Sequence, residues 1–146
     1  MTGLCGFASI ETSVDDRDQM RWLGLVAIGG LVLAAGLAVF GPLPVDIPMP
    51  THAFGWVEPT CGLTRGSTAI VRGDLALAWR YNPSSYLVIA AGALGSVRFV
   101  SGAVTGRWLN ARLHPRPLGW VAVALVVALL WAHQQRNAQF VMDSRA

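Results

Sequence analysis

The sequence predicts an all-α membrane protein with three transmembrane helices and a short interfacial helical pair between the first and the second. Three observations carry that prediction. Hydrophobic residues make up 53% of the 146-residue chain and charged residues only 13%, whereas a soluble domain carries about 25% charge. The charge deficit is concentrated in three apolar runs, each near the length that spans a bilayer. A proline-dense stretch then separates the first run from a compact block with helix-capping signals.

The elements follow in chain order. Residues 1–19 are polar and bear Glu11, Asp15, Asp16 and Asp18, so they are expected to form a disordered tail ahead of a single membrane domain over 20–136. Trp22–Phe40 carries no charge, and 19 helical residues measure about 28 Å, close to a hydrocarbon core of about 30 Å. The first span is therefore placed at 21–41, with Arg21 and Trp22 as interfacial anchors and Gly41-Pro42-Leu43-Pro44 as its stop. The acidic residues ahead of this run do not resemble a cleaved signal, which begins with a short basic region.

Pro42, Pro44, Pro48, Pro50 and Pro59 make residues 41–59 an extended connector at the start of a motif loop over 42–83. Thr60 then offers a helix N-cap, and a helix is predicted from Cys61 to Arg72, ended by Gly73. Asp74 caps a second short helix over Leu75–Tyr81. Arg65 and Arg72 share one face of the first helix, as do Leu63 and Ile70, which reads as an amphipathic pair at the interface.

Asn82-Pro83 opens the second span, placed at 84–105, because proline loses nothing in a first helical turn. Arg98 lies inside this span. A central arginine costs about 3 kcal/mol on the insertion scale, which the surrounding Leu, Ile, Val and Phe offset. Arg98 is expected either to snorkel towards the helix end or to pair with an acid of this chain or of a partner. Residues 107–116 carry Arg107, Arg112, His114 and Arg116 and read as a short loop. The third span is placed at 117–135, bracketed by Trp120 and Trp131, and 137–146 is a polar tail. The arginine-rich short loop puts 107–116 and the amino terminus in the cytoplasm. Arg65, Arg72 and Arg80 oppose that orientation unless they are paired within a folded loop.

Chemistry-bearing constellations are few. Net charge is +3 and no basic run occurs, so nothing points to nucleic acid. Cys5 and Cys61 form no metal or redox spacing. A thiol at a helix amino terminus near a guanidinium, as Cys61 and Arg65 would be, is a setting for a reactive cysteine, but no base accompanies it. Met49, His52 and Cys61 match no metal signature, and His114 and His133 sit at helix ends. No catalytic, cofactor-binding or metal residues are assigned, and no cofactor is expected.

Small residues recur every four positions: Gly30, Ala34 and Ala38; Ala91 with Gly95; Gly102 with Gly106; and Ala124, Ala128 and Ala132. Such stripes let helices approach closely in lipid. Gly95, Arg98 and Gly102 are accordingly taken as interface candidates.

The block PTCGLTRGSTAIVRGDLALAWRYNP, residues 59–83, resembles the core of a bacterial family of small membrane proteins of unknown function. The resembling pattern is Cys61-Gly62-Leu63-Thr64-Arg65, then Gly73-Asp74, an Ala-rich stretch, and Asn82-Pro83 leading into a transmembrane helix. The resemblance implies a bacterial plasma-membrane location and little chemistry, because the family has no established activity. Proteins of this build also occur as accessory subunits around large assemblies, including bacterial cytochrome bc–oxidase supercomplexes of the respiratory chain. That resemblance implies a non-enzymatic accessory or structural subunit whose partners are other membrane-protein subunits and phospholipid. Two alternatives stand beside it: a membrane thiol-redox enzyme using Cys61 and Arg65, and a small oligomeric transporter.

Overall fold

The structure is a computed structural model that describes residues 8–41 and 55–143. Its element order is β1 (Ala8–Asp15), α1 (Arg21–Phe40), α2 (Leu63–Val71), α3 (Leu75–Tyr81), α4 (Ser84–Thr105), β2 (Trp108–Pro115), α5 (Pro117–Arg136) and α6 (Ala138–Asp143). Three helices, α1, α4 and α5, are long and apolar enough to cross a membrane, with mean hydropathy of 2.5, 1.8 and 1.6. They match the expected spans to within one residue at each end. The chain is thus mostly helical and multi-pass in build.

It is not purely α-helical. Strands β1 and β2 pair antiparallel, from Ala8 opposite Pro115 to Asp15 opposite Trp108. The expectation of a disordered tail over 1–19 is corrected for residues 8–15, and the 107–116 loop is largely strand. The physical reason is alternation. Ile10, Thr12 and Val14 fall on one face of β1, and Leu109, Ala111 and Leu113 on the same face of β2. The opposite face carries Asn110, whose amide binds the Asp15 carboxylate and the Arg17 carbonyl at 3.0 Å each. Likewise the expected polar tail over 137–146 contains helix α6.

Helices α1 and α4 run antiparallel and form the main helix pair. Glycines set their separation. A Cβ on Gly95 would come within 2.9 Å of the Ala27 methyl, and one on Gly24 would collide with the Phe99 ring. Gly92 faces Leu31 on the same seam. Lipid supplies no hydrophobic push between helices, so the pair is held by this close van der Waals contact.

The sheet lies at one end of the pair. The Gln19 amide donates to Asn110 Oδ1 at 3.1 Å, tying the entrance of α1 to β2. Trp108 packs on Gly102 of α4, where any Cβ would strike its ring. The other end is closed by α2 and α3. Gly66, Ser67, Thr68 and Ala69 of α2 are buried, and the helix rests against both α1 and α4.

Helix α5 is arranged differently. It touches β2 at its start and the α2–α3 block at its end, and makes no comparable contact with α1 or α4 among the described residues. Its middle is exposed: Leu125 is 60% and Leu129 70% accessible.

Candidate functional site

The residues singled out in the sequence fall at the two ends of the helix pair. Cys61, Gly62, Leu63, Thr64, Arg65, Gly73, Asp74, Asn82 and Pro83 gather at the α2–α3 end. Arg98 and Gly102 lie at the sheet end, and Gly95 lies between them on the α1–α4 seam.

The α2–α3 block is built from capped turns. Helix α2 starts at Leu63, later than expected, and its N-cap is Gly62 at φ +73. Thr60 is not the cap; its carbonyl instead accepts from the Leu63 amide at 3.2 Å, closing a turn that delays the helix. Cys61 therefore precedes the helix, and its own amide bonds the Glu58 carbonyl at 3.0 Å. A side chain at Gly62 would meet the Tyr81 carbonyl at 2.8 Å, so both the left-handed backbone and the close approach require glycine there.

The end of α2 falls where the sequence placed it. Gly73, at φ +84, donates to the Ile70 carbonyl, and Asp74 donates to the Ala69 carbonyl, both at 2.9 Å. This is the Schellman closure, in which a left-handed residue lets two amides turn back onto the last helical carbonyls. The Asp74 carboxylate then accepts from the Leu77 amide at 2.9 Å and caps α3.

Asn82 is the hub of the block and is fully buried. Its Nδ2 donates to the carbonyls of Pro59 at 2.8 Å and Cys61 at 3.0 Å, while its Oδ1 accepts from the Ser84 amide at 2.8 Å. One side chain thereby joins the approach to α2, the end of α3 and the start of α4. Pro83 is the N-cap residue of α4, in helical conformation. Ser85, also fully buried, donates to the Leu63 carbonyl at 3.2 Å, and Gly66 is the residue that leaves room for it. Thr64 is exposed, and its carbonyl accepts from the Thr68 hydroxyl at 2.9 Å.

The arginines of this end face backbone or ring partners. Arg72 Nε donates to the Ala38 carbonyl at 2.9 Å and Nη2 to the Leu37 carbonyl at 3.4 Å. It thus satisfies the Ala38 carbonyl, whose partner four residues on would be a proline, and adds a second donor to the Leu37 carbonyl, which already accepts from the Gly41 amide. Arg65 Nη1 donates to the Val141 carbonyl at 3.3 Å. The Arg80 guanidinium lies 4.1 Å from the centroid of the Phe140 ring.

Helix α5 is anchored here through its last turns. Trp131 Nε1 and Gln135 Nε2 both donate to the Val57 carbonyl, at 3.0 and 3.1 Å. Gln134, fully buried, donates to the Tyr81 carbonyl at 2.8 Å, and His133 Nε2 lies 3.1 Å from the Trp79 carbonyl.

At the sheet end Arg98 pairs with an acid of its own chain. Its Nη2 lies 2.7 Å from Asp18 Oδ1 and 3.0 Å from Asn110 Oδ1, and its Nε donates to the Leu109 carbonyl. The Asp18 carboxylate also accepts from the Met20 amide at 2.9 Å, just before α1 begins. Burial pushes the Asp18 pKa up, but the Arg98 and Met20 hydrogen bonds and the nearby positive charges outweigh it and hold the pKa below the ordinary value. Neighbouring Asp15 is likewise lowered, chiefly by hydrogen bonds from Ser13 and Asn110.

The arrangement joins polar side chains mostly to backbone. Among the described residues no group of three or more His, Cys, Asp or Glu side chains could hold a metal ion. Met49 and His52 lie outside the described residues. Sequence reasoning missed Asp18, Asn110, Ser85 and Gln134. Of these, only Ser85 stood next to a motif that had been noticed.

A family model described as "Protein of unknown function (DUF2752)" matches residues 50–96. That segment contains α2, α3 and the first half of α4, so the chain is similar to an uncharacterised family over its motif block. No curated protein and no solved structure matches the chain.

Proposed function

We propose that the protein is a non-catalytic accessory subunit that binds a larger membrane complex through α5. The observation that carries this reading is the division of the three spans. Gly24 of α1 and Gly92 and Gly95 of α4 each meet the opposite helix, while Ala124, Ala128 and Ala132 of α5 are exposed and α5 makes no comparable contact with α1 or α4 among the described residues. The motif side chains support it as well, since Asn82, Asp74, Ser85 and Arg72 bond to backbone and hold turns together. A respiratory cytochrome bc–oxidase supercomplex of a bacterial plasma membrane is the concrete candidate host, on resemblance of build alone. Redox centres would then belong to other subunits.

The site of association differs from that expected of Gly95 and Gly102. Gly95 packs on Ala27, and Gly102 on Trp108, so both serve contacts inside this chain. The proposed contact moves to α5.

The proposed orientation places the sheet end in the cytoplasm and the α2–α3 end outside. Arg65, Arg72 and Arg80, which oppose it by count, are engaged by Val141, by the end of α1 and by Phe140. Arg17, Arg21, Arg107, Arg112 and Arg116 remain at the sheet end as the orienting charges.

Purification from mild detergent, with mass spectrometry of co-purifying chains and a visible spectrum for haem, tests the accessory role. Recovery of partner subunits that is lost in Ala128→Leu supports it. A chain that runs alone as a monomer and retains no partner excludes it. Labelling of cysteines placed in 107–116 from outside intact cells would reverse the orientation.

A further inference from the structure

Helix α6 is six residues long and follows α5 after a break at Asn137. So short a helix has little stability of its own. Nevertheless Val141 is only 6% exposed, as little as the interior of the molecule. Phe140 and Val141 both reach the α2–α3 block. The Phe140 ring lies 5.1 Å from the Tyr81 ring and under the Arg80 guanidinium, and Arg65 donates to the Val141 carbonyl.

The surface that receives α6 is assembled without it. The closure at Gly73, the Asp74 cap and the Asn82 clamp fix α2 and α3 through bonds that involve no α6 residue. Arg65 lies on α2, and Arg80 and Tyr81 lie on α3, all within the segment that matches the family model. Helix α6 lies outside that segment. A preformed receptor and a short ligand that follows α5 after a single residue are thus combined in one chain.

We propose that the α2–α3 block is a binding site for a short helical turn carrying adjacent aromatic and aliphatic side chains, and that α6 is its displaceable cis ligand. Arg65 and Arg80 recognise the ligand, through a main-chain carbonyl and the aromatic ring respectively. A fixed site of this kind gains affinity because only the ligand must be ordered. Tethering by Asn137 gives α6 a high effective concentration, so a second ligand enters only by competing with it.

The test uses the full chain in mild detergent and a fluorescent synthetic peptide of residues 137–146. Phe140→Ala with Val141→Ser empties the site, and the peptide should then bind saturably, at least tenfold more tightly than to the unsubstituted chain. Adding Arg65→Gln and Arg80→Gln should abolish that gain. Equal binding to the unsubstituted and emptied chains would overturn the proposal, as would no binding to an emptied chain with unchanged circular dichroism. Retained binding without the two arginines would also overturn it. Hydrogen exchange on the unsubstituted chain gives an independent readout. Saturating peptide should speed exchange at the Val141 amide, which bonds the Asn137 carbonyl, and no change there counts against displacement.

Discussion

Helix α4 and helix α5 have almost the same mean hydropathy, 1.8 and 1.6, yet one is packed and the other stands apart. Helix α4 meets α1 along a seam of Gly92, Gly95 and Phe99, with Gly24 opposite. Helix α5 is held at its ends, by β2 and by the bonds of Trp131, Gln134 and Gln135, while its apolar middle faces outwards. Hydropathy identifies what enters a membrane but not what it touches there. In lipid, contact depends on how closely two backbones can approach and on where polar groups find partners.

The contrast can be broken most sharply at Arg98. Arg98→Met leaves Asp18 without its charged partner, and that side chain is only 7% exposed. Loss of one member of such a pair should cost about 3 kcal/mol or more of stability, read by denaturant titration in detergent, and should free β1 for proteolysis. The same contact predicts a pH response. Asp18 has a lowered pKa, so its contribution is complete above the ordinary aspartate range and fades as pH falls below it. Proteolysis of β1 in the unsubstituted chain should rise only in that acidic window, and a flat profile would show that the pair does not hold the strand.

Gly95→Leu tests the seam itself. The added side chain meets Ala27, and overpacking should cost about 1–3 kcal/mol and loosen α1 from α4. A fully stable Gly95→Leu chain that lost a partner instead would return the stripe to the surface role expected from the sequence. Gly73→Val probes the block to which α5 is anchored. Nothing lies within 4 Å of the added Cβ, so only the left-handed backbone is strained, by about 1–2 kcal/mol. Full stability and unaltered association would remove the closure from the account.

Ala128→Leu should change stability by less than about 0.5 kcal/mol, because its surroundings are open, while reducing recovery of partner subunits. Cys61→Ala should have the smallest effect of all, leaving folding and association nearly intact. Complete loss of a host activity with normal folding would favour the thiol-redox reading.

Much of this architecture was legible in the sequence. The three spans and α3 carry local signals: apolar length, a capping Asp74, a stopping Gly73 and an opening Asn82-Pro83. The strands were missed although Ile10, Thr12 and Val14 alternate, because the same stretch is acidic and its partner lies beyond two membrane helices. No turn signal joins strands so far apart in the chain. The start of α2 was misplaced because Thr60 has the side chain of a cap, but the turn closed by its own carbonyl moves the helix to Leu63. At the candidate site the motif residues were named, but not what they bind. Asn82 was noticed as the residue before a proline, and its bonds to the Pro59 and Cys61 carbonyls depend on tertiary placement.

The Asp18–Arg98 pair also has a place in time. Eighty residues separate its members, and synthesis at about 5–20 residues per second makes Asp18 roughly 4–16 s earlier. When the ribosome delivers the helix that carries Arg98, the counter-charge is already waiting beside the first span. The costly cation is therefore made second, when a partner exists to receive it. Arg72 repeats the order, because the Ala38 carbonyl at the end of α1 must wait 34 residues for the guanidinium that satisfies it.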